Sequence, residues 1–325
     1  MFFLRSVVWS VLGGAAAAHP SFPPLLQNRQ NVGPGPVSGD TFWHDPTVIK
    51  KPGGGYLAAF TADNVGLKTS TDRTVWHDAG AAFPNGAPWT TPFTGGQKNL
   101  WAPDLSFHNN QYYMYYSASS FGTTKSAVFL ATSPTGASGS WTDHGVVVES
   151  NAKSDFNAID PNLLVDAQGR WWLSFGSFWS GIKMVALDPA TGKRSDSKPL
   201  INLASRPSNV GGAVEAPFIT RAGDFYYLWV SFDKCCQGAK STYRIMVGRS
   251  SSPTGPFLDK AGVDMMKGGG TQMMSSHGSV HGPGHNAVFT DVDGDVLAYH
   301  YYNDAGTAQI GLNLIRYDGG WPVIH

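Results

Sequence analysis

One short cassette occurs five times along this 325-residue chain, and its spacing restricts the fold more than any other feature. In each copy a polar residue heads an apolar run, a tight polar turn follows, and an aromatic or aliphatic strand returns. The first copy is Trp43-His44-Asp45-Pro46-Thr47-Val48-Ile49-Lys50, returning over 56–60. The second is Trp101-Ala102-Pro103-Asp104-Leu105-Ser106-Phe107, returning over 112–116, and the third is Ile159-Asp160-Pro161-Asn162-Leu163-Leu164-Val165, returning over 171–175. The fourth, Glu215-Ala216-Pro217-Phe218-Ile219, returns over 225–230, and the fifth, Gly284-His285-Asn286-Ala287-Val288-Phe289, over 296–300. Counted between the head residues Asp45, Asp104, Asp160, Glu215 and His285, the steps are 59, 56, 55 and 70 residues.

A period of this size with several short strands per copy is the signature of a β-propeller, so the chain is expected to be all-β with five blades. Ala131-Thr132-Ser133-Pro134-Thr135-Gly136 before Trp141, and Arg249-Ser250-Ser251-Ser252-Pro253-Thr254-Gly255-Pro256-Phe257, read as a third strand, a turn and an outer fourth strand. A two-sheet sandwich would explain the strands but not five phased copies. The 39 glycines and 21 prolines suit short strands and tight turns better than helices.

Residues 1–18, with Arg5, a short apolar core and Ala15-Ala16-Ala17-Ala18 before His19-Pro20, have the pattern of a secretory signal peptide. The expectation is a secreted, monomeric protein with one propeller over 19–325, opening on an extended lead-in at 20–40. Twenty-three basic and 23 acidic side chains cancel, which argues against a nucleic acid or an anionic membrane as partner. The only cysteines, Cys235 and Cys236, are adjacent. In an oxidising compartment they form a vicinal disulfide or stay as thiols, and a structural or substrate-contacting bridge is the favoured reading.

The inner strand of each propeller blade lines the central channel. If every cassette starts there, Asp45, Asp104, Asp160, Glu215 and His285 converge at one axial mouth although they lie far apart in sequence. Carboxylates gathered in one pocket cannot all ionise cheaply, so their proton affinities split. One kept protonated can serve as an acid and an ionised one as a base, which is the equipment for glycoside hydrolysis. Glu215, one of only two glutamates in the chain, has the longer reach and an apolar flank, which suits the proton donor. Asp45 would activate a water, and Asp160 would orient Glu215 and hold its proton affinity up. For a single Asp-Pro the ordinary reading is a strand cap, and it is the phased recurrence that favours a shared site.

The motifs Trp43-His44-Asp45-Pro46, Trp101-Ala102-Pro103-Asp104, Asn157-Ala158-Ile159-Asp160-Pro161, Ser174-Phe175-Gly176-Ser177-Phe178-Trp179-Ser180-Gly181, Glu215-Ala216-Pro217 and His281-Gly282-Pro283-Gly284-His285-Asn286 resemble those of family 43 glycoside hydrolases. Among these the chain looks like the secreted endo-1,5-α-L-arabinanases, which cut the backbone of pectic arabinan. The resemblance spans essentially everything after the leader. It implies an inverting mechanism with Asp45 as general base, Glu215 as general acid and Asp160 as the carboxylate that modulates the acid. It also implies a metal ion in the central channel, bound through His285 and water, with calcium usual and sodium or chloride as alternative occupants. No organic cofactor is implied. The paired cysteines also have a counterpart in the arabinanases.

For the sugar, exposed aromatics offer stacking platforms and polar side chains pair with hydroxyls. Trp101, Asn157, Ser177, Phe178 and Trp179 are the candidates, with His44 beside the base and Asp104 holding either a loop or a sugar hydroxyl. His277 and His281 carry no assignment. Two alternatives keep the fold: an exo-acting α-L-arabinofuranosidase or β-xylosidase of the same family, and a carbohydrate-binding propeller without catalysis. A lectin calls for repeated sites between blades rather than three carboxylates converging once.

Overall fold

A computed structural model describes residues 32–195 and 199–325, and the expected leader at 1–18 lies outside them. The chain is nearly all β, in five sheets that follow one another in sequence. Their first strands are Thr47–Lys50, Asn99–His108, Asn162–Val165, Val214–Ala222 and His281–Asp291. Each first strand packs on the first strand of the next sheet, and the fifth returns to the first. This closed ring is the five-bladed β-propeller that the repeat implies.

Strand alternation explains how the blades stack. Each blade's buried side chains enter two clusters, one with the blade before it and one with the blade after it. Leu57, Leu67, Met114, Tyr116 and Phe129 join blades one and two, and Tyr115, Leu130, Leu163, Leu173 and Val185 join two and three. Further clusters join three to four and four to five. The last, with Trp43, Val48, Trp76, Val296 and Ile310, joins five back to one. Burying apolar area at about 25 cal/mol per Å² makes these five seams the main stabilising term.

The cassettes carry a structural register that the sequence spacing hides. Cross-strand pairing aligns Thr47, Asp104, Asn162, Phe218 and Ala287, which face Ala59, Tyr115, Ser174, Trp229 and Ala298. Two residues earlier stand Asp45, Ala102, Asp160, Ala216 and His285, all with left-handed φ between 46° and 58°. This residue marks where the chain turns onto the inner strand. On this register Asp104 is not a counterpart of Asp45, and the expectation that it heads the second cassette is corrected: Ala102 holds that place. Glu215 sits one residue ahead of its blade's left-handed position.

Both positions make bonds between blades. Thr47 Oγ1 accepts from Leu105 N at 3.2 Å, Asp104 Oδ2 from Leu163 N at 2.8 Å, and Asn162 Oδ1 from Ile219 N at 2.8 Å. The N–H of the left-handed residue is held by a side chain at the end of the preceding blade's second strand. Ala102 N donates to Thr61 Oγ1 at 2.8 Å, Asp160 N to Ser117 Oγ at 3.0 Å, and His285 N to Ser231 Oγ at 2.8 Å. Asp45 N donates to His300 Nδ1 at 3.1 Å. Blade three has Gly176 in this place, and there Ala216 N donates to Asp160 Oδ2 at 3.1 Å. A Cβ on Gly176 would lie 2.7 Å from the Gly181 carbonyl oxygen, at a φ of 131° that disfavours side chains.

The outer strand of blade four departs from the sequence reading. It is Thr271–Met274 rather than the segment around Phe257. Pro253 and Pro256 each lack the N–H that a ladder needs. The segment makes a single antiparallel bridge to the third strand, Leu258 to Arg249, and folds back on the seam of blades three and four with Phe257 and Met265 fully buried.

Candidate active site

Where the five inner strands begin, a cavity of about 850 Å³ opens. Asp45, Asp160, Glu215 and His285 line it, as do His44, Trp101, Asn157, Ser177, Phe178 and Trp179. Asp104 is not among the lining residues. It is 4 % exposed, and its two oxygens accept from Leu163 N and, at 3.4 Å, from Asn162 Nδ2. Of the two roles expected for it, holding a loop or a sugar hydroxyl, its place off the cavity leaves no sugar contact, and it makes a bond between blades because its register puts Asp104 two residues past the turn.

Asp45 is gripped on both oxygens. Oδ2 accepts from Thr61 Oγ1 at 2.6 Å and lies 2.9 Å from His44 Nδ1, while Oδ1 lies 3.1 Å from His285 Nδ1. Burial alone would raise its proton affinity. The imidazoles of His44 and His285, through charge and hydrogen bonds, outweigh that and hold the carboxyl well below the usual range. Asp45 is thus kept ionised.

Glu215 is kept the other way. Burial, then the negative charge of Asp160, raises its proton affinity far above that of an ordinary glutamate, against the lowering effect of the Ser177 hydrogen bond and the charge of His285. The hydroxyls of Tyr243 and Ser177 donate to its Oε1 and Oε2. Asp160 is raised as well, by burial first and by Asp45 next, with His285 and the Ala216 N–H opposing. The bond to Ala216 N aims the Asp160 carboxylate at the residue beside Glu215.

The loop after the second strand of blade three builds the aromatic wall. Phe178 N donates to Val214 O at 2.9 Å, pinning the loop to the strand that carries Glu215. Phe178 and Trp179 both adopt left-handed φ, 53° and 46°, which is uncommon for bulky side chains and is held here by the surrounding contacts. Trp179 is 45 % exposed at the rim, and Phe121, on the loop after Ser120, is 87 % exposed. Cys235 and Cys236 form a disulfide on the cavity wall, with Cys236 Sγ 3.7 Å from His44 Nε2.

Sequence reasoning missed Thr61, Phe121, Tyr243, His300 and Tyr302. Thr61 and His300 end the second strands of their blades, a place that carries a polar residue or glycine in every blade and could have been found from that recurrence. Tyr243 and Tyr302 carried no signal, because tyrosines also fill the seams between blades.

His285 fits a channel metal. Its Nδ1 faces the Asp45 carboxylate, which leaves Nε2 as the ring atom for a cation, the usual carboxylate–histidine–metal arrangement. Next to it, Asn286 has both amide atoms buried with no partner among the described residues, as a side chain facing water or an ion would. Burial lowers the proton affinity of His285, but Asp45, then Asp160 and Glu215, raise it to about 9, so a cation at Nε2 would take the place of a proton. Two other groupings fit less well. His44 with Cys235 and Cys236 has its sulfurs tied in a disulfide, and in the set of His44, Asp45 and His300 the His300 Nδ1 already accepts the Asp45 N–H.

Comparison with known proteins bears on this geometry. The profile of "Glycosyl hydrolases family 43" matches residues 36–322. The chain is 44 % identical over 285 residues to the extracellular endo-α-(1→5)-L-arabinanase 1 of Bacillus subtilis, covering 86 % of each chain. Among solved structures, a family 43 endo-arabinanase of Bacillus licheniformis superposes with a TM-score of 0.83 at 44 % identity, over 89 % of this chain and 99 % of the other. An exo-1,5-α-L-arabinanase from a bovine ruminal metagenomic library gives the same TM-score at 37 % identity, over 89 % and 99 %.

Proposed function

This chain belongs to glycosyl hydrolase family 43 and is a glycosidase, and from that premise we propose that it makes endo cuts in 1,5-α-L-arabinan with inversion of configuration. The observation that carries the mechanism is that one cavity holds two carboxyls in opposite surroundings, Asp45 between the imidazoles of His44 and His285 and Glu215 buried among hydroxyls, which favour ionised Asp45 and protonated Glu215. Glu215, held protonated by burial and by Asp160, gives its proton to the glycosidic oxygen as the bond to the anomeric carbon breaks. Asp45, held ionised, takes a proton from a water that attacks the opposite face of that carbon. The Tyr243 and Ser177 hydroxyls stabilise the carboxylate that Glu215 becomes. A cation at His285 Nε2 would supply positive charge at the channel. The chain's own groups position the water and move the protons.

Exposed Trp179 and Phe121 at the rim support the endo reading, since aromatic surface there can carry sugar units on both sides of the cut. The likeness to an extracellular relative supports secretion. Exo action is the second reading, favoured by the equal superposition of the exo-acting neighbour.

Proton NMR of the first products from linear arabino-oligosaccharides tests the mechanism. The expected product is the inverted anomer, and retention would remove Asp45 from its role as base. Sizing the early products from debranched arabinan separates the two readings. A ladder of oligomers supports endo action, and one small product of constant size supports exo action.

A further inference from the structure

The five equivalent places that end each blade's second strand hold Thr61, Ser117, Gly176, Ser231 and His300. Thr61, Ser117 and Ser231 clasp the next blade's turn with a single hydroxyl, and Gly176 cedes the task to Asp160. His300 alone uses an imidazole, at the junction where blade five meets blade one, and the N–H it holds is that of Asp45.

A hydroxyl would suffice for the clasp, so the ring needs another reason. Its face supplies one. His300 is fully buried and stacks against His44 with ring centroids 4.3 Å apart and planes 21° from parallel. His44 is the residue whose Nδ1 lies 2.9 Å from Asp45 Oδ2, while its Nε2 meets Tyr302 OH at 2.8 Å. Tyr302 packs edge-on against the His300 ring at 5.5 Å. One buried ring therefore touches the backbone of Asp45, the imidazole that grips its carboxylate and the phenol that orients that imidazole. Nδ1 also lies 3.4 Å from Asp45 Oδ1, and with the shorter Asp45 N–H contact taken as its hydrogen bond the ring proton belongs on Nε2, which has no hydrogen-bond partner among the described residues. Burial, followed by the charge of His44, disfavours the imidazolium, so the ring stays neutral and acts by shape.

We propose that His300 is a positioning residue for Asp45, fixing its backbone through Nδ1 and its carboxylate through the His44 ring that it supports. The inference rests on the reading of Asp45 as the base, and Asp45→Asn tests that reading separately: if this variant still turns over arabinan, the base assignment fails whatever His300 does.

The test swaps His300 for the side chain other blades use. His300→Ser keeps a backbone acceptor and removes the ring. The expected result is a folded protein whose kcat falls on the order of 10- to 100-fold, the cost of a carboxylate displaced by a fraction of an ångström. KM stays within about twofold, because what is lost acts in the transition state. His300→Asn, with an acceptor and a planar amide to lie under His44, should recover most of the kcat. A serine variant with parental kcat, or a loss that follows the melting temperature and is not recovered by asparagine, would overturn the proposal. If the serine variant does not fold, ¹⁵N NMR of histidine-labelled parent protein decides. An unprotonated Nδ1 on His300 supports the clasp, and a protonated one rules it out.

Discussion

The inner strand of blade five, His281–Asp291, meets blade one near both of its ends, and each meeting buries a carboxylate. Near one end His285 faces Asp45; at the other, Asp291 accepts from Lys50 Nζ at 2.7 Å, from Arg73 Nη1 at 2.7 Å and from Tyr56 OH at 2.6 Å. Asp291 is paired with an ammonium, a guanidinium and a phenol. Burial would raise its proton affinity, but the bonds from Lys50, Tyr56, the Val292 N–H and Arg73 hold it far below the usual value. Asp45 is held ionised by imidazoles, and Asp160 and Glu215 nearby have no fixed cation on them. A buried acid locked by lysine and arginine ties blades together and can do little else. Acids that face one another across histidines and hydroxyls keep protons that can move. The same junction thus holds a latch and the candidate base.

Neutralising the mobile acids should break the contrast most clearly. Glu215→Gln and Asp45→Asn are each expected to lower kcat on arabinan by about 10³-fold or more, since each removes a proton transfer that the other groups cannot replace. The melting temperature of Glu215→Gln should hold or rise, because a buried group no longer has to be kept protonated, while that of Asp45→Asn should fall somewhat, because His44 and His285 lose the carboxylate they face. Kinetics and thermal melts on the same preparations check both halves. Turnover close to the parent's in either variant would sink the assignment.

The reverse pattern is expected at the latch. Asp291→Asn leaves Lys50 without a counter-charge and Arg73 with Asp293 alone, and should cost roughly 3 kcal/mol of stability in urea unfolding. Its kcat should match the parent's below the melting temperature. The pH dependence has a defined sign. The folded-state pKa of Asp291 is depressed, so its contribution is present above the unfolded value near 4 and is lost as pH falls through the folded one. The difference between parent and variant should therefore shrink on strong acidification. A constant difference would mean that the pairing is not what stabilises this junction.

A finer test asks whether Asp160 sets the proton affinity of Glu215. Activity requires Glu215 protonated, so the alkaline limb of kcat/KM should lie above the range of an ordinary glutamate. Asp160 raises Glu215 through its negative charge. Asp160→Asn, which can still accept from Ala216 N, should move that limb down by about one pH unit as well as lower kcat. An unmoved limb with a reduced kcat would leave Asp160 an orienting role only.

Much of this was legible in the chain, and the limits are instructive. The five copies implied the propeller because a blade is a local unit whose strands follow one another. They also implied the convergence of Asp45, Asp160 and Glu215, since a closed ring brings every inner strand to one mouth. The register was missed although a mark for it was present. Proline follows the left-handed residue in four blades, at Asp45-Pro46, Ala102-Pro103, Asp160-Pro161 and Ala216-Pro217, whereas Leu105 follows Asp104, so aligning the copies on carboxylates put Asp104 in the place of Ala102. His300 and Tyr243 were hidden for a different reason. Their partners lie 255 and 28 residues away, and nothing local distinguishes a buried ring that packs from one that also bonds.

Asp104 provides the smallest and most selective test of how a buried acid is read. It has neither the lysine and arginine of the latch nor a place on the cavity, and burial raises its pKa to about 7 against the Leu163 N–H, the Asn162 amide and the charge of His285. A raised carboxyl works against the fold once it ionises. The folded state binds the proton more tightly than the unfolded one, so stability falls as pH climbs from about 4 towards 7 and levels off above that. Asp104→Asn removes the titration and keeps an oxygen for Leu163 N. The variant should be more stable than the parent by up to about 4 kcal/mol at pH 8, and the advantage should shrink as pH falls and be gone below about pH 4, where the carboxyl is protonated in the unfolded chain as well. Its kcat should stay within a factor of about two at either pH, since a group bonded between blades touches neither sugar nor water. Thermal melts across that pH interval, with kinetics alongside, separate the outcomes. A large loss of kcat with unchanged melts would return Asp104 to the substrate and undo the register that assigns its place to the blades.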